Sequence, residues 1–217
     1  MAGSVGTCLL LQFAREPVVG AVKTRMMPHL SAAEACDLHC ELVLWTTVSL
    51  LDAGLGPVEM VVAGAAEHPL FVRCRYQGLA AIGRQRGDDL GERMYHALAD
   101  GLLRYERVVL VGSDCPGIDR QYLHSAVRAL DAAEVVLGPA LDGGYVLVGA
   151  RRINKGMFEG IVWGSDTVMA STRERLRQLA VNWTELPSLA DIDRPEDLPV
   201  WQALRRAARV REGVLRR

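Results

Sequence analysis

Apolar residues recur along this chain in two alternating rhythms, short runs of strand length and longer stretches with helical spacing. Residues 5–13 read as a first buried strand. The stretch 14–30 carries Pro17, Gly20 and Pro28 and reads as a long loop, a length that compact domains tend to reserve for function. Ser31-Ala-Ala-Glu34 has the pattern of a capping box, in which serine and glutamate satisfy each other's backbone N–H groups. After it, Leu38, Leu42, Trp45 and Val48 share one helical face, and Gly54 stops the helix.

The alternation continues to the C-terminus. Residues 57–63 predict a second strand, 69–76 a short helix and 79–82 a short strand. Helical spacing resumes at Leu90, Met94, Ala97, Leu98 and Leu102 and leads into the β-branched run 108–111. Residues 122–130 fit a helix, 134–137 a strand and 145–148 another strand, entered through the Gly143-Gly144 turn. The stretch 163–179 reads as helical from Ser165 onward, and Pro195 stands as the first-turn proline of a last helix, with Asp193 as its candidate cap. Strands alternating with helices predict an α/β fold, a mostly parallel sheet covered on both faces in three α/β/α layers.

Composition narrows the class. The chain has 217 residues, half of them hydrophobic and 24% charged, which fits one domain over 1–217 with no internal repeat or linker. A formal net charge of −1 argues against a surface built for nucleic acid. The tail 205–217 is locally basic, with six arginines and one glutamate, and reads either as a solvated helix end or as a contact for acidic lipid or nucleic acid. Five cysteines, scattered through apolar or helical contexts, fit free thiols in a reducing compartment. No apolar run approaches the ~20 residues that span a bilayer, and the N-terminus lacks a signal-type segment. The expected location is the cytoplasm, with no transmembrane segment.

Candidate chemistry clusters in four places. Gly112-Ser113-Asp114-Cys115-Pro116 follows the apolar run directly, which puts Asp114 at the carboxyl end of a strand, where open α/β sheets bind their ligands. Asp114 reads as a cation ligand or as a turn residue bonding nearby backbone. Lys23-Thr24-Arg25 puts two cations just after the first strand, suited to phosphate or simply solvated. Asp142-Gly143-Gly144-Tyr145 is a turn signal, or a site where small glycines let a ligand approach while Asp142 acts as base, acceptor contact or metal neighbour. Asp191-Ile192-Asp193 offers further carboxylates, with Asp193 a second metal ligand if the chain folds back. The loop lacks the spacing of a P-loop, Ser113 lacks the Gly-x-Ser-x-Gly elbow of serine hydrolases, and Cys36, His39 and Cys40 lack a second ligand pair for zinc.

Taken in order, five stretches resemble a bacterial family of glycosyltransferase-related proteins, DUF2064, within the GT-A-like nucleotide-diphospho-sugar transferase fold. They are Phe13-Ala14-Arg15-Glu16-Pro17 with Gly20 and Lys23-Thr24-Arg25; the run from Gly87 through Gly91-Glu92-Arg93-Met94; residues 112–116; Gly138-Pro139 with 142–145; and 191–193 with 195–198. The resemblance spans 13–198 and implies a mixed, mostly parallel sheet with a nucleotide cradled over the first strand. It further implies a divalent Mg²⁺ or Mn²⁺ near Asp114, held with Asp193. Phe13, Ala14, Gly20, Lys23, Arg25, Gly91, Arg93, Gly143 and Gly144 would contact substrate, and Asp142 and Asp114 would serve catalysis.

The wider fold holds both sugar transferases and nucleotidyltransferases. Here the opening loop reads Pro-Val-Val-Gly-Ala-Val-Lys-Thr-Arg, where nucleotidyltransferases carry Gly-x-Gly-Thr-Arg. The expectation is therefore a metal-dependent transferase that moves a sugar from a nucleotide-activated donor to an unassigned acceptor. The alternatives are a nucleotidyltransferase releasing pyrophosphate and a nucleotide-binding module without turnover.

Overall fold

The computed structural model describes residues 8–27 and 29–215, with side chains up to residue 207. The strands are β1 (Cys8–Arg15), β2 (Val58–Ala63), β3 (Ala81–Arg84), β4 (Arg107–Val111), β5 (Val135–Pro139), β6 (Tyr145–Ala150) and β7 (Trp183–Glu185). The helices are α1 (Ala32–Ala53), α2 (Pro69–Tyr76), α3 (Leu90–Leu102), α4 (Arg120–Ala129), α5 (Val168–Gln178) and α6 (Leu198–Leu215). One sheet takes the strands in the order β3-β2-β1-β4-β6-β5-β7. Only β6 runs against its neighbours, pairing antiparallel with β4 and β5, so the sheet is mixed and mostly parallel as the pattern predicts.

The near-continuous apolar run of β1 follows from its place inside the sheet. Successive side chains point to opposite faces, and both faces are covered. Cys8 and Leu10 pack with Val43, Leu50 and Leu123 from α1 and α4, whereas Leu9, Leu11 and Phe13 pack with Met94 and Leu98 of α3 and Leu176 of α5. Each fully buried leucine of this kind contributes ~1.5–3 kcal/mol. The capping box at Ser31 forms as read: Glu34 accepts from the Ser31 N–H at 2.8 Å, and Ser31 Oγ accepts from the Glu34 N–H at 3.2 Å.

Several boundaries differ from the sequence reading. β1 continues to Arg15 because Ala14 and Arg15 still pair with β2; the expected start at residues 5–7 lies outside the described residues, as does Pro28. The long loop contains a 3-10 turn, Thr24–Met26, anchored by fully buried Met26. α5 begins at Val168 rather than Ser165, since Ser165 Oγ donates to Val162 O at 2.8 Å within a turn. At the last helix, Pro195 opens a 3-10 turn, and the cap is supplied by Asp197, whose carboxylate accepts from the N–H groups of Asp193 and Arg194 at 2.9 and 2.7 Å. Asp193 is left free for another contact.

Candidate active site

The carboxyl ends of β1 and β4 open onto a cavity of about 570 Å³, within the range of small-molecule sites. Behind its lining, Gln12 braces the turn after β4. This fully buried amide on β1 donates to Val43 O of α1 at 2.9 Å and to Ser113 Oγ at 3.0 Å, and accepts from Thr47 Oγ1 at 2.8 Å. Ser113 in turn donates to Phe13 O at 2.7 Å. With every polar group satisfied, the network holds the turn after β4 against β1 and presents Asp114 to the cavity.

The segment 190–193 lies along that turn. The Ile192 N–H donates to Asp114 O at 2.8 Å, and Cys115 Sγ donates to Ala190 O at 3.3 Å. Ile192 is fully buried beside Met26, Leu38, Leu42 and Trp201, so the residues on either side of it, Asp191 and Asp193, come to the cavity wall. Met26 and Ile192 share that cluster, which also brings the loop after β1 next to the same segment.

Lys23 sits where these pieces meet. Its backbone is left-handed, φ 50°, a conformation costing a non-glycine residue ~1–3 kcal/mol, and its side chain is 3% exposed. The ammonium donates to Ile192 O and lies 2.8 Å from Asp114 Oδ1 and 3.7 Å from Asp193 Oδ1. Its well-directed hydrogen bond goes to the carbonyl, so Asp114 Oδ1 gains charge compensation but no aligned hydrogen bond. Arg25 Nη1 lies 2.7 Å from Asp193 Oδ2. Both loop cations expected at phosphate are thus committed to carboxylates.

Asp191 differs from its neighbours. It is half-buried and has no ion-pair partner among the described residues. Burial, and then the negative charge of Asp142, push its carboxyl above the usual range, with Lys23 opposing. His39, buried in the cavity lining, donates from Nε2 to Arg15 O at 2.9 Å, and burial pushes its imidazole down toward the neutral form.

Phe13, Ala14, Lys23, Arg25, Asp114 and Asp193 all line the cavity, and Arg93 lines it from α3. Five other expected site residues lie outside that lining. Gly20 forms an open turn with φ 82°. Gly91 lies beneath the Trp163 indole, where a Cβ would come within 2.6 Å of the ring. Gly143 has φ 92° and packs on Asp166, where a Cβ would stand 2.0 Å from the carbonyl oxygen. Asp142 caps the same turn, accepting the Gly144 N–H at 2.9 Å, and is exposed. The Asp-Gly-Gly turn therefore fastens β6 to the segment before α5, with Asp142 close enough to the cavity-lining Asp191 for its charge to act there. In the other direction, Arg15, Gln85, His39 and Asp191 line the cavity without having been singled out as site residues. The period-two spacing of Asp191 and Asp193 about Ile192 was a usable signal; Gln85 carried none.

Residues 46–165 match the family described as "Uncharacterized protein conserved in bacteria (DUF2064)". The chain belongs to the DUF2064 family. A crystal structure from Desulfovibrio desulfuricans G20, described as a candidate nucleotide-diphospho-sugar transferase, is 31% identical, covers 88% of this chain and 84% of its own, and superposes with a TM-score of 0.79. Two more distant structures share the fold. The 4-diphosphocytidyl-2C-methyl-D-erythritol synthase of Anaerococcus prevotii DSM 20548 is 9% identical with a TM-score of 0.63, covering 93% of this chain and 99% of its own. The inositol-1-phosphate CTP transferase of T. maritima is 13% identical with a TM-score of 0.53, covering 89% and 92%. No curated protein matches the chain.

The fold of this DUF2064 member is therefore that of the nucleotide-diphospho-sugar transferases, as the motif order implies. The divalent metal implied with it does not fit Asp114 and Asp193 in this geometry. Lys23's ammonium stands between the two carboxylates, and among the described residues no three His, Cys, Asp or Glu side chains converge as a ligand set. No helix among them is long and apolar enough to cross a membrane.

Proposed function

We propose that this protein is a transferase acting on a nucleotide-activated donor, and that it moves a sugar from a nucleoside-diphosphate sugar to an acceptor hydroxyl. The observation that carries the reading is the cavity itself. It opens at the carboxyl ends of β1 and β4, and cations share its lining with one carboxylate, Asp191, that forms no ion pair among the described residues. The 31% identical relative described as a candidate nucleotide-diphospho-sugar transferase supports the donor class.

In this reading the cavity's cations stabilise negative charge on the departing diphosphate. Asp191 accepts the proton of the acceptor hydroxyl as that oxygen forms the new bond to the sugar and the nucleoside diphosphate leaves. Its raised pKa suits a base working nearer neutrality than an ordinary aspartate. Asp114 and Asp193 hold Lys23 and Arg25 in place.

Nucleotidyl transfer with release of pyrophosphate is the second reading. It draws on the fold neighbours that are a cytidylyl-type synthase and a CTP transferase. The opening loop favours the first, because Gly20 is its single glycine before Lys23, where a triphosphate-wrapping loop carries two. A thermal-stability screen of nucleotide sugars, nucleoside triphosphates and free nucleosides checks the donor class, since a ligand that binds only the folded state raises apparent stability. Stabilisation by a nucleotide sugar supports the proposal; stabilisation by triphosphates alone favours the second reading.

A further inference from the structure

Four cations line the cavity, and two of them are already spent. Lys23 is held by Asp114, Asp193 and Ile192 O, and Arg25 by Asp193. The other two, Arg15 and Arg93, meet no carboxylate among the described residues. Arg15 ends β1 and is exposed. Arg93, in the first turn of α3, uses one N–H, Nε to Gly87 O at 3.0 Å, leaving the rest of its planar fork uncommitted.

These two arginines stand at the same end of the cavity. Gln85 Nε2 donates to Val61 O at 3.1 Å and to Ala14 O at 3.4 Å, which ties the connection after β3 to the residue before Arg15. Gly87, two residues on in that connection, is the one that holds Arg93. Three nearby acids are engaged elsewhere. Glu16 accepts from the Ala65 N–H at 2.7 Å, Asp89 from the Glu92 N–H at 2.8 Å, and Glu92 from Lys155 at 3.1 Å. The cavity is therefore polarised, with Asp114 and Asp193 paired to Lys23 and Arg25 beside the turn after β4, and two guanidinium groups without an ion pair among the described residues beside the end of β1 and the connection after β3.

We propose that Arg15 and Arg93 form the anion subsite of the cavity and take the phosphate oxygens of a diphosphate. The inference deepens the donor reading above and rests on it for the identity of the diphosphate as part of a nucleotide. A guanidinium fork matches phosphate oxygens two at a time, and no ion pair has to break for it to do so. Engaging Lys23 or Arg25 instead would strip Asp114 or Asp193 of its counter-charge.

Calorimetric titration with inorganic pyrophosphate tests the subsite without knowledge of the base. Arg15→Gln and Arg93→Gln are each expected to weaken pyrophosphate ~10-fold or more, and Arg25→Gln less than about threefold. Arg93→Lys, which keeps the charge but loses the fork, guards against a folding defect in the glutamine variant and should fall between it and the parent. No binding to the parent at millimolar pyrophosphate, unchanged affinity in Arg15→Gln and Arg93→Gln, or an equal loss in Arg25→Gln would each overturn the proposal. Competition with UDP, CDP, GDP and ADP separates the two claims. Pyrophosphate held by the two arginines but displaced by no nucleotide leaves the anion subsite standing and removes the nucleotide reading. Nucleoside diphosphates that bind equally well to the parent and to both glutamine variants remove the subsite and leave the nucleotide reading.

Discussion

Lys23 Nζ lies 2.8 Å from Asp114 Oδ1, joining the loop after β1 to the turn after β4 across 91 residues of chain. The same ammonium reaches Asp193, so one lysine holds together three segments that meet only in the folded state. It is at once a structural pin and the reason the two carboxylates are not open to a divalent ion.

Removing that pin should cost stability. Lys23→Met is expected to destabilise by about 1 kcal/mol, the low end of the ~1–3 kcal/mol range for leaving buried polar partners unsatisfied, because Asp114 is 47% exposed. Urea unfolding of Lys23→Met, Asp114→Asn and the double variant gives the coupling. A double variant whose cost is simply the sum of the single ones would show that the contact carries no energy of its own.

Metal binding should respond in the opposite direction. With the ammonium gone, Asp114 loses its counter-charge and Asp193 keeps Arg25 alone, and Mn²⁺ should bind Lys23→Met at least ~10-fold more tightly than the parent, in keeping with the loss of a like charge at contact distance. Calorimetric titration of the ligand-free proteins measures it. Tight, Asp114-dependent Mn²⁺ binding by the parent would mean that Lys23 yields its place readily.

Asp191 sets a pH signature. Because burial raises its folded pKa above that of the unfolded chain, the folded state keeps the proton longer, and stability falls as pH rises from the ordinary carboxylate range through the folded pKa. Asp191→Asn removes that penalty. The variant should therefore gain stability relative to the parent toward neutral pH, with the gain shrinking to nothing by about pH 3, where both states of the parent are protonated. Equal differences at both pH values would remove the burial argument. The same substitution should abolish turnover if Asp191 is the base.

Two glycines separate strain from contact. Gly143→Ala combines a positive φ with a Cβ 2.0 Å from Asp166 O and should cost more than about 2 kcal/mol, whereas Gly20→Ala pays for its positive φ alone, about 1 kcal/mol. Thermal unfolding ranks them. Comparable losses would mean that the turn before β6 relaxes more easily than its packing indicates.

Much of the fold was legible because each strand and helix carries its own rhythm. The β1 run alternates between two covered faces, and Ser31, Glu34 and Gly54 mark the ends of α1. The convergence of Lys23, Arg25, Asp114 and Asp193 was legible as a set of charges but not as a geometry. Whether a cation meets a carboxylate or stays open to a ligand depends on the return path of 190–193, which is fixed by long-range bonds such as Ile192 N–H to Asp114 O. For the same reason the packing of Gly143 was not legible: an Asp-Gly-Gly turn looks alike whether the space beside that glycine holds a ligand or, as here, the Asp166 backbone. Gln12 shows the limit most plainly, since a polar residue inside an apolar run gives no hint that it anchors Ser113.

The most direct test of the account is product identity. Purified protein incubated with a panel of nucleotide sugars and nucleoside triphosphates, with and without divalent cations, is resolved by anion-exchange chromatography. The account predicts nucleoside diphosphate from one nucleotide sugar, released slowly to water in the absence of acceptor and lost in Asp191→Asn. Pyrophosphate from a triphosphate, with every nucleotide sugar intact, would contradict it and establish the nucleotidyl reading.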